Sequence, residues 1–139
     1  MDIVFLVARI LFAAIFLASA FGHFANQKQM AEYAKAMGAP APGLAVPVTG
    51  LMILAGGLMI VLGIWGDLGA LLLVAFLLPT TFIMHAFWKM DAEQDPQMAQ
   101  LEQISFMKNL SLMGGALAFF WLFVEYGKDL PLTITGPLF

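Results

Sequence analysis

Three stretches of this chain carry no charged side chain: residues 44–66 (23 residues), 68–84 (17) and 109–124 (16). A fourth, 3–24, is interrupted only by Arg9 and His23. A helix needs roughly 20 apolar residues to cross a bilayer core. The spacing therefore predicts four transmembrane helices, at about 3–24, 44–65, 68–88 and 104–125. Helices are required because hydrocarbon cannot pair open backbone groups, and the alternating ten-residue segments of a membrane barrel are absent. Composition points the same way. The chain is 62% hydrophobic and 11% charged, with a mean hydropathy of +0.92, and so few charges cannot solvate the surface of a soluble monomer. Ala18-Ser19-Ala20 resembles a signal-peptidase site. The preceding Met1-Asp2 lacks the positive charge of a signal peptide, so the first span is read as retained.

The connections carry their own signals. In residues 26–37, Met30, Tyr33, Ala34 and Met37 recur at i, i+3, i+4 and i+7, while Lys28, Glu32 and Lys35 take other faces. This predicts a short amphipathic helix lying in the membrane interface, ended by the Gly38–Pro42 breaker. Trp65-Gly66-Asp67 reads as a tight turn between antiparallel spans. Asp95-Pro96 reads as an N-cap followed by a first-turn proline, so span four starts as a helix before it enters the membrane. The apolar tail 130–139 is expected to fold back on the interface. The predicted fold is thus all-α, an integral membrane four-helix bundle in one domain, with a short interfacial helix after the first span.

Lys28, Lys35, Lys89 and Lys108 lie on one side of the membrane, with Lys128 and Arg9 on the other. This bias puts both termini on the non-cytoplasmic side. Small residues can bring membrane helices together. Ala14, Ala18 and Gly22 repeat on span one, Gly56, Gly57 and Gly63 lie on span two, and Ser111/Gly115 and Gly114/Ala118 pair on span four. They predict close packing within the bundle or, alternatively, a face for a second copy or a membrane partner. Pro79 should kink span three, with Thr80 and Thr81 available to the freed carbonyls.

Polar side chains within spans are costly and mark function by default. Parity places His23, His85, Trp88, Lys108 and Asn109 at the cytoplasmic end, and Arg9, Asp67 and Glu125 at the other. The two histidines could bond carbonyls, lipid phosphates or water, or form a small-molecule site; bis-histidine haem is disfavoured because both sit at helix ends. Lys108 either snorkels to the headgroups or points inward with Asn109 and His85 towards an anionic or carbonyl group. Arg9 is expected to ion-pair with Glu125 or Asp67, or else to offer a buried cation to a quinone oxygen or a lipid phosphate.

Asp91, Glu93 and Asp95 lack the glycine and terminal glutamate of a calcium loop. No nucleotide, metalloprotease or serine-hydrolase motif occurs. With no cysteine there is no disulfide, thiolate chemistry or iron–sulfur ligation. No metal site and no catalytic residue is predicted. A net charge of −3 gives no footprint for nucleic acid.

Several pieces together resemble the DoxX family of small membrane proteins. These are Ala8-Arg9-Ile10, the loop from Tyr33 to Pro40, Gly56-Gly57 with Leu62-Gly63, the run from His85 to Trp88, and Phe106 to Leu110 followed by Gly114-Gly115. The resemblance runs from residue 5 to 124. It implies four helices in a bacterial or archaeal cytoplasmic membrane and an association with quinone-linked oxidoreductases and oxidative-stress resistance. Arg9, His85, Trp88, Lys108 and Asn109 match the family's pattern. Many relatives carry Glu where Ile53 stands and Lys where His23 stands. The expected function is a non-catalytic subunit or accessory protein of a quinone-linked system, binding a quinone or lipid headgroup at the cytoplasmic end. Lys108 and His85 would be its polar contacts, Trp88 a stacking wall and Asn109 an orienting donor. The alternatives are an assembly protein docking a membrane partner through small-residue faces, and a quinone oxidoreductase. The expected partners are the lipid bilayer and either another membrane protein or a second copy; no cofactor is assigned beyond a quinone ligand.

Overall fold

A computed structural model describes Met1–Phe139. The chain forms α1 (Asp2–Ala25), α2 (Gln27–Ala36), α3 (Pro42–Leu62), α4 (Gly66–Met84), a 3-10 turn (Phe87–Lys89) and α5 (Pro96–Tyr126), with no strand. The four long helices are apolar and long enough to cross a membrane, and α2 is the short helix predicted after the first span. The molecule is a multi-pass membrane protein in contact with the lipid bilayer. Large apolar side chains such as Leu11, Phe21, Leu51 and Trp121 face outward, as lipid-facing positions should.

The ends of the helices follow from local chemistry. Span two stops at Leu62, earlier than expected. Gly63 adopts a left-handed φ of +62° and Trp65 follows at +43°, so the chain reverses within four residues and enters α4 at Gly66. Span three stops at Met84, four residues short of expectation, and leaves His85 outside the helix. α5 begins eight residues before its membrane portion, and the Asp95 side chain accepts from the Met98 amide at 3.0 Å. α4 continues through Pro79. Thr81 Oγ1 bonds the Leu77 carbonyl (2.5 Å), its own i−4 partner, rather than the Ala75 carbonyl that Pro79 leaves free, and Thr80 makes no side-chain hydrogen bond. The expected rescue of that carbonyl is thus not what the threonines do.

α3 packs closely on α1 and α4, and α4 on α5, while α1 and α5 approach each other less closely. The bundle is an arc, and its open seam lies between the first and last spans. At one end the seam is closed by phenylalanines. Phe12 lies 4.9 Å from Phe119, and Phe5 lies 6.2 Å from Phe119 and 6.3 Å from Phe123, between ring centroids. The core behind it holds Phe16, Ile53, Ile60, Leu73 and Leu77, all essentially inaccessible.

The small residues divide by role. Gly56 meets the Gly69 backbone and Leu73, Gly57 meets Leu17, and Gly115 receives Phe12. Ala14, Ala18, Gly114 and Ala118 are exposed instead, and a side chain on Gly114 would meet nothing within 4 Å.

At this closed end the segment after α5 docks on the helix ends. Ile134 and Thr135 donate their amides to the Gly63 carbonyl (3.0 Å each). The Trp65 amide donates to Thr135 Oγ1 (2.8 Å). The tail is therefore tied by hydrogen bonds to the α3–α4 turn and does not merely lie on the interface.

Candidate functional site

Towards the other end of the seam there are no bridging phenylalanines, and a cleft of about 660 Å³ opens. That falls within the roughly 300–1,000 Å³ of ordinary ligand sites. Its walls come from α1 (Ile15, Phe16), α3 (Val46), α4 (Phe76, Leu77, Ile83) and α5 (Leu112), and α2 crosses it with Met30, Tyr33 and Ala34. The apolar face read in α2 is the face turned to this cleft.

Four of the five residues predicted for this end line the cleft: His23, His85, Lys108 and Asn109. His23 is buried, and its Nδ1 lies 2.8 Å from the Ser19 carbonyl. A carbonyl can only accept, so Nδ1 donates there and Nε2 is left without a protein partner. Asn109 is 6% exposed, and its amide bonds no other residue. Lys108 is exposed with no carboxylate within 4.0 Å.

Trp88 is the exception. It is 54% exposed and packs edge-to-face on Phe87 and Phe106 (5.3 and 5.5 Å). With Phe82 on the far side of Phe106 (5.5 Å), it forms an aromatic group outside the cleft. The amphipathic indole suits the membrane–water boundary, and the aromatic rings that line the cleft are those of Phe16, Tyr33 and Phe76.

The group that organises the site was missed from sequence. Glu102 is 7% exposed at the start of α5. Its Oε1 accepts from the Tyr33 hydroxyl (2.7 Å), and its Oε2 lies 2.6 Å from His85 Nδ1. This is the only contact within 4.0 Å between a basic side chain and a carboxylate in the structure. One carboxylate thus ties α2, the end of α4 and α5 together. No carboxylate stands at Ile53, which is fully buried in the core; Glu102 lies behind the cleft wall, bonded to two residues that line it, Tyr33 and His85. The signal was present: Glu102 lies one heptad before Asn109, on the same helix face.

Tyr33 reports on this arrangement. Partial burial, then the hydrogen bond to Glu102 and that carboxylate's charge, push its hydroxyl up to about 12. The folded protein therefore holds this proton where the unfolded chain has lost it, so stability falls as pH rises from the ordinary value of 10 towards 12. In an ultraviolet titration, one of the two tyrosines should ionise late, and in Glu102→Gln it should move back towards 10. Two tyrosines titrating together in the unaltered protein would contradict this geometry.

At the closed end the structure corrects the expected ion pair. No carboxylate lies within 4.0 Å of Arg9. Its Nη2 donates to the Leu132 carbonyl at 2.7 Å, its guanidinium sits 5.0 Å over the Phe5 ring, and Nε and Nη1 have no protein partner. Leu132 adopts a left-handed φ of +56°, a conformation that costs a non-glycine residue roughly 1–3 kcal/mol. Asp67 is equally buried, but its Oδ2 accepts the Leu138 and Phe139 amides (2.7 and 2.8 Å). Glu125 is exposed. Arg9 and Asp67 hold the same segment without pairing with each other; each bonds backbone groups of residues 132–139 instead.

Four spans arranged as an arc, closed at one end and open around a ligand-sized cleft at the other, define a small polytopic membrane protein with an internal cleft. The sequence pattern of the DoxX family matches residues 4–86, more than half of the chain, and the chain belongs to the DoxX family. Arg9, His23, Tyr33, Asp67 and His85 fall within the matched stretch, whereas Trp88, Glu102, Lys108 and Asn109 lie beyond it. Comparison with curated proteins and with solved structures gives no match.

Proposed function

We propose that the protein is a non-catalytic membrane subunit or accessory protein of a quinone-linked redox system, and that its cleft holds the head of a quinone-class molecule. The observation that carries this reading is the cleft: apolar walls with Asn109, Lys108 and two imidazoles that keep a ring nitrogen free of protein partners. A quinone has the matching form, an apolar ring and tail with polar oxygens at the head. When bound, such a molecule carries electrons and protons; the chain's own groups bind and orient it.

The test is organic extraction and native mass spectrometry of protein purified in mild detergent. A quinone-class molecule should co-purify near one per chain and fall at least tenfold in His85→Leu/Asn109→Leu, an effect of about one unpaired buried polar group. Recovery of only exchangeable phospholipid overturns the reading. It would move weight to a second one, docking of a membrane partner or a second copy, which draws on the outward-facing Ala14, Ala18, Gly114 and Ala118.

In this reading the membrane is the cytoplasmic membrane of a bacterium or archaeon. The cleft end faces the cytoplasm, where Lys28, Lys35 and Lys89 lie. The chain has no cysteine, so one introduced at Gln94 reports the side directly. An impermeant maleimide should label it in inverted vesicles and not in intact spheroplasts; the reverse pattern inverts the topology.

A further inference from the structure

We propose that Glu102 is a positioning residue that fixes the tautomer of His85, so that the cleft accepts from a ligand hydroxyl and selects a hydroquinone or phenol over a quinone. The proposal deepens the preceding reading of the same cleft and rests on it.

The argument starts from donors and acceptors. An ionised carboxylate can only accept. Glu102 uses Oε1 for the Tyr33 hydroxyl and presents Oε2 to His85 Nδ1. Nδ1 must therefore carry a proton, and in the neutral ring this leaves Nε2 as a lone pair. His23 reaches the same state by another route, since its Nδ1 donates to the Ser19 carbonyl. The cleft thus presents two imidazole acceptors beside two donors, the Lys108 ammonium and the Asn109 amide.

A quinone oxygen has only lone pairs. Against His85 and His23 it leaves acceptor facing acceptor, and a buried polar group without a partner is costly. A hydroquinone hydroxyl does both jobs: it donates to Nε2 and accepts from Lys108 or Asn109. An ionised phosphate head meets the same obstacle as a quinone, so the selection also disfavours phospholipids. Sites built to bond a hydroxyl discriminate strongly against analogues lacking it.

Glu102 is the residue on which the His85 half of this selection turns. In Glu102→Gln, the Tyr33 hydroxyl can still donate to the side-chain oxygen. With the oxygen kept on Tyr33, the amide nitrogen faces His85 Nδ1, which then becomes the acceptor. The ring proton moves to Nε2, and the cleft now offers a donor where it offered an acceptor. The shape is kept and the polarity reversed.

The experiment uses the full chain in nanodiscs, with empty nanodiscs as the partition blank. A short-chain benzoquinone and its reduced hydroquinone are compared anaerobically. The hydroquinone should bind roughly tenfold or more tighter, the equivalent of one unsatisfied buried group. Glu102→Gln should abolish or invert that ratio, and Tyr33→Phe, which leaves the Glu102–His85 pair in place, should keep it. A wild-type protein that binds both forms equally, or the quinone tighter, overturns the proposal and leaves the cleft reading standing. Failure to bind either form overturns both. A ratio unchanged in Glu102→Gln removes Glu102 from the role even if the preference is real, and the wild-type ratio decides the selection should that variant not fold.

Discussion

Asp67→Ala should lower the apparent melting temperature of the purified protein by about 10 °C or more, the largest effect expected of any single substitution at the closed end. Asp67 is inaccessible, and its Oδ2 accepts two backbone amides. Hydrogen bonds to a charged group contribute roughly 1.5–3 kcal/mol each. Removing one member of a buried charged arrangement costs about 3–5 kcal/mol, because the groups left behind stay buried. The stranded groups here are the Leu138 and Phe139 amides, and the Arg9 guanidinium held by the same segment. Asp67→Asn separates the contributions, since it keeps an acceptor and loses the charge. Heating monitored by the fluorescence of the three tryptophans reads the midpoint. A midpoint unmoved in the alanine variant would mean that residues 130–139 are not docked as described.

The second large effect is steric. Gly56→Val should reduce the yield of monodisperse protein several-fold and destabilise the remainder by about 3 kcal/mol or more. A Cβ on Gly56 would lie 2.9 Å from the Gly69 carbonyl oxygen and 2.9 Å from Leu73. The Leu73 side chain can turn; the Gly69 backbone cannot, and a Cβ on Gly69 would itself lie 2.7 Å from Met59 Cβ. α3 and α4 would have to separate along their length. Lipid supplies no hydrophobic drive to hold them together once contact is lost. Gly114→Val is the control: nothing lies within 4 Å of its Cβ, so size-exclusion profiles should match the unaltered protein. A normal profile for Gly56→Val would show that the α3–α4 contact is looser than its geometry.

Why was the scaffold legible and much of the site not? Spans and short turns are written locally, in runs of uncharged residues and in cues such as Asp95-Pro96 and Trp65-Gly66-Asp67. His23, His85, Lys108 and Asn109 were legible as one group because parity alone puts the ends of alternate spans on the same side. Pairing is not local. Nothing near Arg9 in sequence announces that a carbonyl at Leu132 will satisfy it, and matching opposite charges by side of the membrane led to Asp67 and Glu125 instead. Glu102 was hidden by its acidic neighbourhood, although helical phase with Asn109 would have turned it inward. Trp88 joins the expected site because parity and the family resemblance place it at the same end as His85. The helix stops at Met84, and that stop sends the indole outward. Gly114 and Ala118 carry the same small-residue signature as Gly56 and Gly57, and only the packing shows which face is covered.

The bond between Arg9 and Leu132 spans 123 positions of the chain, and this bears on how the protein is made. The first helix reaches the insertion machinery with a guanidinium two turns inside it, at a moment when the residues that will satisfy that group have not been synthesised. Until residues 130–139 leave the ribosome, Arg9 has to stay in water or against the translocon, with α1 shallow or tilted. Closure of the far end therefore follows synthesis of all four spans, and it supplies the partner that the first helix lacks until then. A nascent chain stalled before Leu130 would carry four complete spans and still expose the cation, a mark by which membrane quality control could distinguish an unfinished copy from a finished one.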